Sequence, residues 1–295
     1  MSVVSFQKPN ENPSTSKSGR KWLRFVTAAS LFDGHDAAIN IMRRILQSSG
    51  AEVIHLAHNR SVQEIVDAAV QEDVDAIAIS SYQGGHIEYF KYLVDRLREL
   101  DAGHIKIFGG GGGVIIPAEI EELHDYGVSR IYSPNDGQTI GLQGMIDDML
   151  RRCRDGDCRP VAPSLAELNI ADRIALTRTI TGIENGQYSA EELATLKDKA
   201  DSVEATPILG ITGTGGAGKS SSTDEIIRRF RQDSGDSLTI AVLAIDPTRK
   251  KTGGALLGDR IRMNAISHSN IFMRSIATRD ATVEIPERLS EIIAA

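Results

Sequence analysis

The chain has 295 residues, a formal net charge of −7 and 41% apolar residues, enough for two domains or one large one. Its acidity argues against nucleic acid as the main partner, because phosphate-backbone binding wants a basic face. No apolar run approaches membrane-spanning length. The two cysteines, Cys153 and Cys158, stand in a charged segment. They are too few for a zinc site and unconvincing as a disulfide, which fits a reduced cytoplasm.

Residues 1–20 are polar, rich in Ser, Asn and Pro, and lack an apolar core. They read as a disordered arm and not as a secretory signal. From 21 to 152, apolar β-rich runs alternate with amphipathic helical runs. Strands are predicted at 22–28, 51–56, 75–80, 105–108 and 130–132. Helices are predicted at 36–48, 61–72, 87–100, 117–125 and 141–152, the second opened by the capping box Ser61 and Glu64. This alternation predicts a flavodoxin-like, five-stranded doubly wound α/β domain. Ligands of such sheets bind at the carboxyl ends of the strands. His55 and His58 have near-ligand spacing but no third ligand close by, and read as loop histidines.

Residues 153–204 change character. Pro160 and Pro163 punctuate them, helices are predicted at 164–179 and 189–200, and Asn185-Gly186 marks a turn. They form a helical linker between two domains. A second domain starts at about 205. A short apolar strand is predicted at 207–212, a helix at 221–232, and between them runs Gly213-Thr-Gly-Gly-Ala-Gly-Lys-Ser220. Strand, glycine loop and helix is the arrangement in which backbone N–H groups and a helix N-terminus surround a polyphosphate. Gly213, Gly215, Gly216, Ala217, Gly218 and Ser221 line that loop. The ammonium of Lys219, the candidate catalytic group, reaches the β- and γ-phosphates, and the Ser220 hydroxyl sits on Mg²⁺. A glycine-rich turn that merely opens a helix is the plain alternative. A second strand, 237–245, ends at Asp246-Pro247. About ninety residues are too few for a nucleotide-hydrolysing domain of this class, and no Asn-Lys-x-Asp for reading guanine is visible. The sequence is therefore expected to be the N-terminal part of a longer polypeptide.

Three strand ends in the first domain carry unusual loops. After the first strand comes Asp33-Gly34-His35, after the third Ser80-Ser-Tyr-Gln-Gly84-Gly85-His86, and after the fourth the glycines 109–113. A histidine at such an end can coordinate a metal through one ring nitrogen, while an aspartate two positions earlier fixes the tautomer through the other. Glycines there remove Cβ atoms where something bulky approaches the backbone. A loop histidine with a helix-capping aspartate, and ordinary tight turns, are the alternatives.

The set D-x-H, S-x-L and G-G on a doubly wound sheet resembles the cobalamin-binding domain of acyl-CoA mutases and methionine-synthase-type proteins. Here it reads Asp33-Gly-His35-Asp-Ala-Ala38, Ser80-Ser-Tyr82 and Gly112-Gly113. Ala38 stands for the motif glycine and Tyr82 for the leucine. The resemblance implies His35 as lower cobalt ligand, Asp33 as its orienting partner, and a slot for the nucleotide tail lined by Ser80, Gly84, Gly85, Gly112 and Gly113. Residues 246–263, Asp-Pro-Thr-Arg-Lys-Lys-Thr-Gly-Gly-Ala-Leu-Leu-Gly-Asp-Arg-Ile-Arg-Met, resemble the G-protein chaperones of cobalamin-dependent mutases. As carboxylates, Asp246 and Asp259 are able to hold Mg²⁺, and Arg262 can neutralise phosphate charge. The alternative is a helix-capping Asp259 with Arg262 on a solvated face. Both domains on one chain resemble the N-terminal portion of the fused isobutyryl-CoA mutases. That resemblance implies adenosylcobalamin, GTP and Mg²⁺ as cofactors, an acyl-CoA substrate held by a barrel that follows, a homodimer, and an adenosyltransferase as cofactor donor. A cobalamin carrier or GTPase chaperone without mutase activity is the alternative function. A corrinoid methyl-transfer protein fits less well, because of the G domain.

Overall fold

The computed structural model describes residues 22–155, 161–169, 172–203, 206–249, 252–280, 282 and 284–295. The expected N-terminal arm and Cys158 lie outside them. The first half is built by strict alternation: β1 (Arg24–Ala29), α1 (Ala37–Ser48), β2 (Glu52–His55), α2 (Val62–Gln71), β3 (Ala76–Ser80), α3 (His86–Glu99), β4 (Lys106–Gly110), α4 (Pro117–Tyr126) and β5 (Arg130–Tyr132). Two helices, α5 (Pro134–Thr139) and α6 (Gly141–Asp155), close it. The strands are parallel and short of polar residues, so both faces of the sheet are covered. Because strand side chains alternate, Val26, Ile54 and Ile77 pack with Ile65, Phe90, Leu93 and Leu123 of α2, α3 and α4. Phe25, Val53 and Phe108 pack with Leu46, Ile146 and Leu150 of α1 and α6 on the other face. Each such side chain, fully removed from water, stabilises the fold by about 1.5–3 kcal/mol. The register sets Ala29 beside Ser80 and Ser80 beside Gly110, bringing three strand ends to one edge.

The second half has α7 (Arg173–Glu184), α8 (Ala190–Asp201), α9 (Lys219–Ser234), β6 (Ile240–Asp246), β7 (Ala255–Leu257), β8 (Ile271–Ala277) and α10 (Leu289–Ala294). The helix expected at 164–179 starts only at Arg173, because the Asp172 carboxylate accepts from the N–H groups of Ile174 and Ala175 and so caps it there. Leu176, Ile180, Leu193 and Leu196 of the linker helices form one core with Phe272 and Ile276 of β8 and Ile292 of α10. Strands β6 and β8 pair in parallel. The strand expected at 207–212 is not formed. Among the described residues none runs beside it, and Ile208 and Leu209 are 71% and 67% exposed. The short run Ala255–Leu257, by contrast, leaves its own half of the chain and pairs in parallel with β2. The first sheet therefore has six strands, in the order β5-β4-β3-β1-β2-β7.

A buried ionic network joins the halves. Arg24 meets Glu52 at 2.8 Å, Glu72 at 3.3 Å and Glu184 at 3.3 Å. Arg260 meets Glu72 at 3.1 Å, Arg274 meets Glu184 at 2.5 Å, and Arg279 meets Glu52 at 2.8 Å. Glu72 also accepts from the backbone N–H and the hydroxyl of Ser275. Burial alone would push Glu52 up, but the Arg279 and Arg24 guanidiniums outweigh it and hold that carboxyl well below the usual range. No helix among the described residues is long and apolar enough to cross a membrane.

Candidate functional site

The loop after β1 is ordered around the Asp33 carboxylate, which is 2% exposed. Its Oδ1 accepts from the His35 backbone N–H at 2.8 Å and lies 2.9 Å from His35 Nδ1. Its Oδ2 accepts from the Tyr82 backbone N–H at 2.6 Å, tying the end of β3 to the end of β1. A carboxylate acts as acceptor, so Nδ1 donates to it, and in the neutral ring the lone pair falls on Nε2. The His35 side chain is 75% exposed. The arrangement therefore offers one oriented imidazole nitrogen, Nε2, to a ligand outside the sheet edge, with the partner that fixes its tautomer in place.

The neighbouring loops fit a bulky, partly polar group. Ser80 is 6% exposed and its hydroxyl has no hydrogen-bond partner among the described residues, although nearly all buried polar atoms find one. At Gly84 and Gly113 a Cβ would meet no atom of the described residues within 4 Å. Gly112 is different. Its backbone is left-handed, φ +58°, and a Cβ there would lie 2.9 Å from Tyr82 Cε1. Gly85 donates its N–H to Gln83 Oε1 at 2.8 Å just before α3. Two residues that sequence reasoning passed over clasp these loops together: buried His86 holds Glu119 Oε2 at 3.0 Å through Nε2 and faces the Gln83 carbonyl through Nδ1. The available signal was the position of His86 directly after Gly84-Gly85. His55, read as a loop histidine at the end of the strand expected at 51–56, is the last residue of β2 and is buried, with Nδ1 2.9 Å from Thr27 Oγ1. Burial, aided by the Arg43 charge, pushes its pKa down to about 4. His58 is exposed.

The second constellation lies in the other half. Gly213, Gly215, Gly216, Ala217 and Gly218 form an exposed loop, and Gly218 in the left-handed region (φ +82°) opens α9. Lys219 Nζ donates to the Gly213 carbonyl at 2.8 Å and the Thr214 carbonyl at 3.0 Å, so its ammonium lies over the loop it belongs to. Ser221 is exposed in the first turn of α9. The Ser220 hydroxyl donates to Asp259 Oδ1 at 2.7 Å. Asp246 ends β6, and its buried Oδ2 has no hydrogen-bond partner among the described residues. Burial, together with the facing Asp259 carboxylate, pushes Asp246 up to about 7. A hydroxyl and two mutually repelling carboxylates suit a hard divalent cation that retains water ligands. Among the described residues no three His, Cys, Asp or Glu side chains gather as a complete protein cage. Arg262 is exposed, and its charge acts on Asp246.

Residues 23–135 match the family model of the B12 binding domain, and residues 176–294 that of the methylmalonyl-CoA mutase-associated GTPase MeaB. The fused isobutyryl-CoA mutase of Cupriavidus metallidurans is 66% identical over 274 residues, 92% of this chain and 25% of that protein. Its counterpart in Geobacillus kaustophilus is 57% identical over 277 residues, again 92% of this chain and 25% of that protein. The pivalyl-CoA mutase small subunit of Xanthobacter autotrophicus is 34% identical over 116 residues, 39% of this chain and 76% of that protein. The chain thus spans about a quarter of the length of the fused relatives it matches.

Proposed function

This chain belongs to the fused isobutyryl-CoA mutase family, and from that premise we propose that it is the cobalamin-binding and GTPase part of an adenosylcobalamin-dependent mutase interconverting isobutyryl-CoA and n-butyryl-CoA. The observation that carries the reading is the Asp33–His35 pair at the carboxyl edge of the first sheet, joined on one polypeptide to a phosphate loop. When bound, adenosylcobalamin supplies the radical chemistry, and the protein supplies binding, orientation and shielding. His35 Nε2 would hold the cobalt. Asp33 keeps the proton on Nδ1. The unpartnered Ser80 hydroxyl and the open backbone at Gly84 and Gly113, flanked by Gly85 and Gly112, would receive the nucleotide tail.

In the second half, the backbone of the 213–218 loop and Lys219 hold the phosphates of GTP. The Lys219 ammonium exchanges the carbonyls of Gly213 and Thr214 for phosphate oxygens. Ser220, Asp259 and Asp246 hold Mg²⁺, which relieves the repulsion between the two carboxylates. GTP hydrolysis gates loading or release of the cobalamin. The acyl-CoA is bound by a further domain of the complete protein, which acts in the cytoplasm as a homodimer and receives its cofactor from an adenosyltransferase.

Two assays on the complete polypeptide test this. Isobutyryl-CoA is expected to be converted to n-butyryl-CoA only with adenosylcobalamin present, and Lys219→Ala should abolish GTP turnover. Cobalamin binding and GTP turnover without any isomerisation of the acyl-CoA would establish the carrier instead. Unchanged GTP turnover in the Lys219 variant would remove the phosphate-loop role.

A further inference from the structure

Among the described residues the His35 imidazole is held along one edge only. A single hydrogen bond from Nδ1 to Asp33 fixes its tautomer and its distance from the sheet. That bond does not stop the ring from swinging about it, and three quarters of the side chain is open to solvent. Among the described residues the ring has one aromatic neighbour, Tyr82, with centroids 5.5 Å apart and planes inclined by 43°. Tilted aromatic pairs at this separation attract through their quadrupoles.

Tyr82 is itself pinned from two sides. Its backbone N–H donates to Asp33 Oδ2, so a single buried carboxylate fixes both the ligand histidine and the tyrosine. Its ring edge lies where a Cβ of Gly112 would stand, and the left-handed glycine leaves that space to it. Strand ends β1, β3 and β4 therefore meet in the order His35, Tyr82, Gly112.

We infer that Tyr82 is a positioning residue whose ring buttresses the His35 imidazole and aims Nε2 at the cobalt of the corrinoid. The inference rests on the reading of His35 as axial ligand and adds the element that sets its direction. The leucine of the S-x-L pattern would fill similar volume but present no flat face to the imidazole. The phenol hydroxyl plays no part, so phenylalanine should serve as well.

The test uses the complete protein, cob(II)alamin as probe, and the variants Tyr82→Phe, Tyr82→Leu and Tyr82→Ala. Affinity is read by titration, and coordination by nitrogen splitting in the electron-spin-resonance spectrum. Tyr82→Phe should keep wild-type affinity and full splitting. Tyr82→Ala should bind about tenfold more weakly, the upper end of what one aromatic contact is worth, and show a mixture of split and unsplit signal. Tyr82→Leu should fall between. Full splitting and unchanged affinity in a folded Tyr82→Ala protein would overturn the buttress. If that variant does not fold, Tyr82→Leu decides, and wild-type behaviour there overturns it. Loss of splitting in Tyr82→Phe would also overturn it, because the hydroxyl would then be responsible. Wild-type protein that bound the corrinoid without splitting would remove the axial-ligand reading itself, a failure the variants separate from that of the buttress.

Discussion

Replacing Asp33 by asparagine changes almost no volume but breaks the acceptor logic of the site. Both carboxylate oxygens are occupied: Oδ1 by two groups of His35, Oδ2 by the Tyr82 N–H. An amide has one acceptor oxygen, so its NH₂ group must face an N–H whichever way it sits. Leaving a buried donor unsatisfied costs about 1–3 kcal/mol, and at 2% exposure water gives Asp33 little relief. If the NH₂ faces Tyr82, the stability of the strand-end loops falls. If it faces His35, Nδ1 becomes an acceptor, Nε2 carries the proton, and the ligand lone pair is lost. Asp33→Asn should therefore lower unfolding free energy by about 1–3 kcal/mol, read in urea through the single tryptophan, Trp22, and should weaken cobalamin binding at least about tenfold. His35→Ala, at an exposed side chain, should leave the urea midpoint almost unmoved. An Asp33→Asn protein with wild-type midpoint and wild-type cobalamin affinity would refute this reasoning.

Two further predictions concern the frame. Glu72→Ala leaves the buried Arg24 and Arg260 charges without a shared partner, which should cost about 3–5 kcal/mol. It should also expose the junction between the halves to limited proteolysis; a loss below about 1 kcal/mol would mean the junction is held elsewhere. Buried His55, held down to about 4, binds its proton more readily in the unfolded chain, whose histidine titrates near about 6.5. Stability contributed by the neutral ring is complete above about 6.5 and is lost as pH falls toward about 4. Between pH 7 and pH 5 the wild type should lose about 1–2 kcal/mol more than His55→Gln. Parallel pH profiles of the two proteins in urea denaturation would contradict that.

The doubly wound order of the first half was legible because each strand and helix carries its own period, and the loops at 33–35, 80–86 and 109–113 stood at strand ends by that order alone. The phosphate loop was equally plain from its spacing. What escaped was long-range pairing. Residues 207–212 read as a strand from their apolar run, yet a parallel strand exists only beside neighbours, and none of the described residues supplies them. Ala255–Leu257 is too short to show a period, and only the edge of β2 makes it a strand. Arg and Glu carry no local sign of burial. Arg24, Glu52, Glu72, Glu184 and Arg274 are instead buried, because each finds its partner far away in sequence. Tyr82 looked like a departure from a motif, and only the geometry sets its ring beside His35.

The central claim is that His35 Nε2 is the lower ligand of a bound corrinoid. Electron-spin resonance of the cob(II)alamin complex of the complete protein tests it most directly, with wild type, His35→Ala, and wild type carrying nitrogen-15 histidine. The account predicts a nitrogen triplet in the wild type that becomes a doublet with nitrogen-15 and vanishes in His35→Ala, while GTP binding persists. A triplet that survived either change would contradict it.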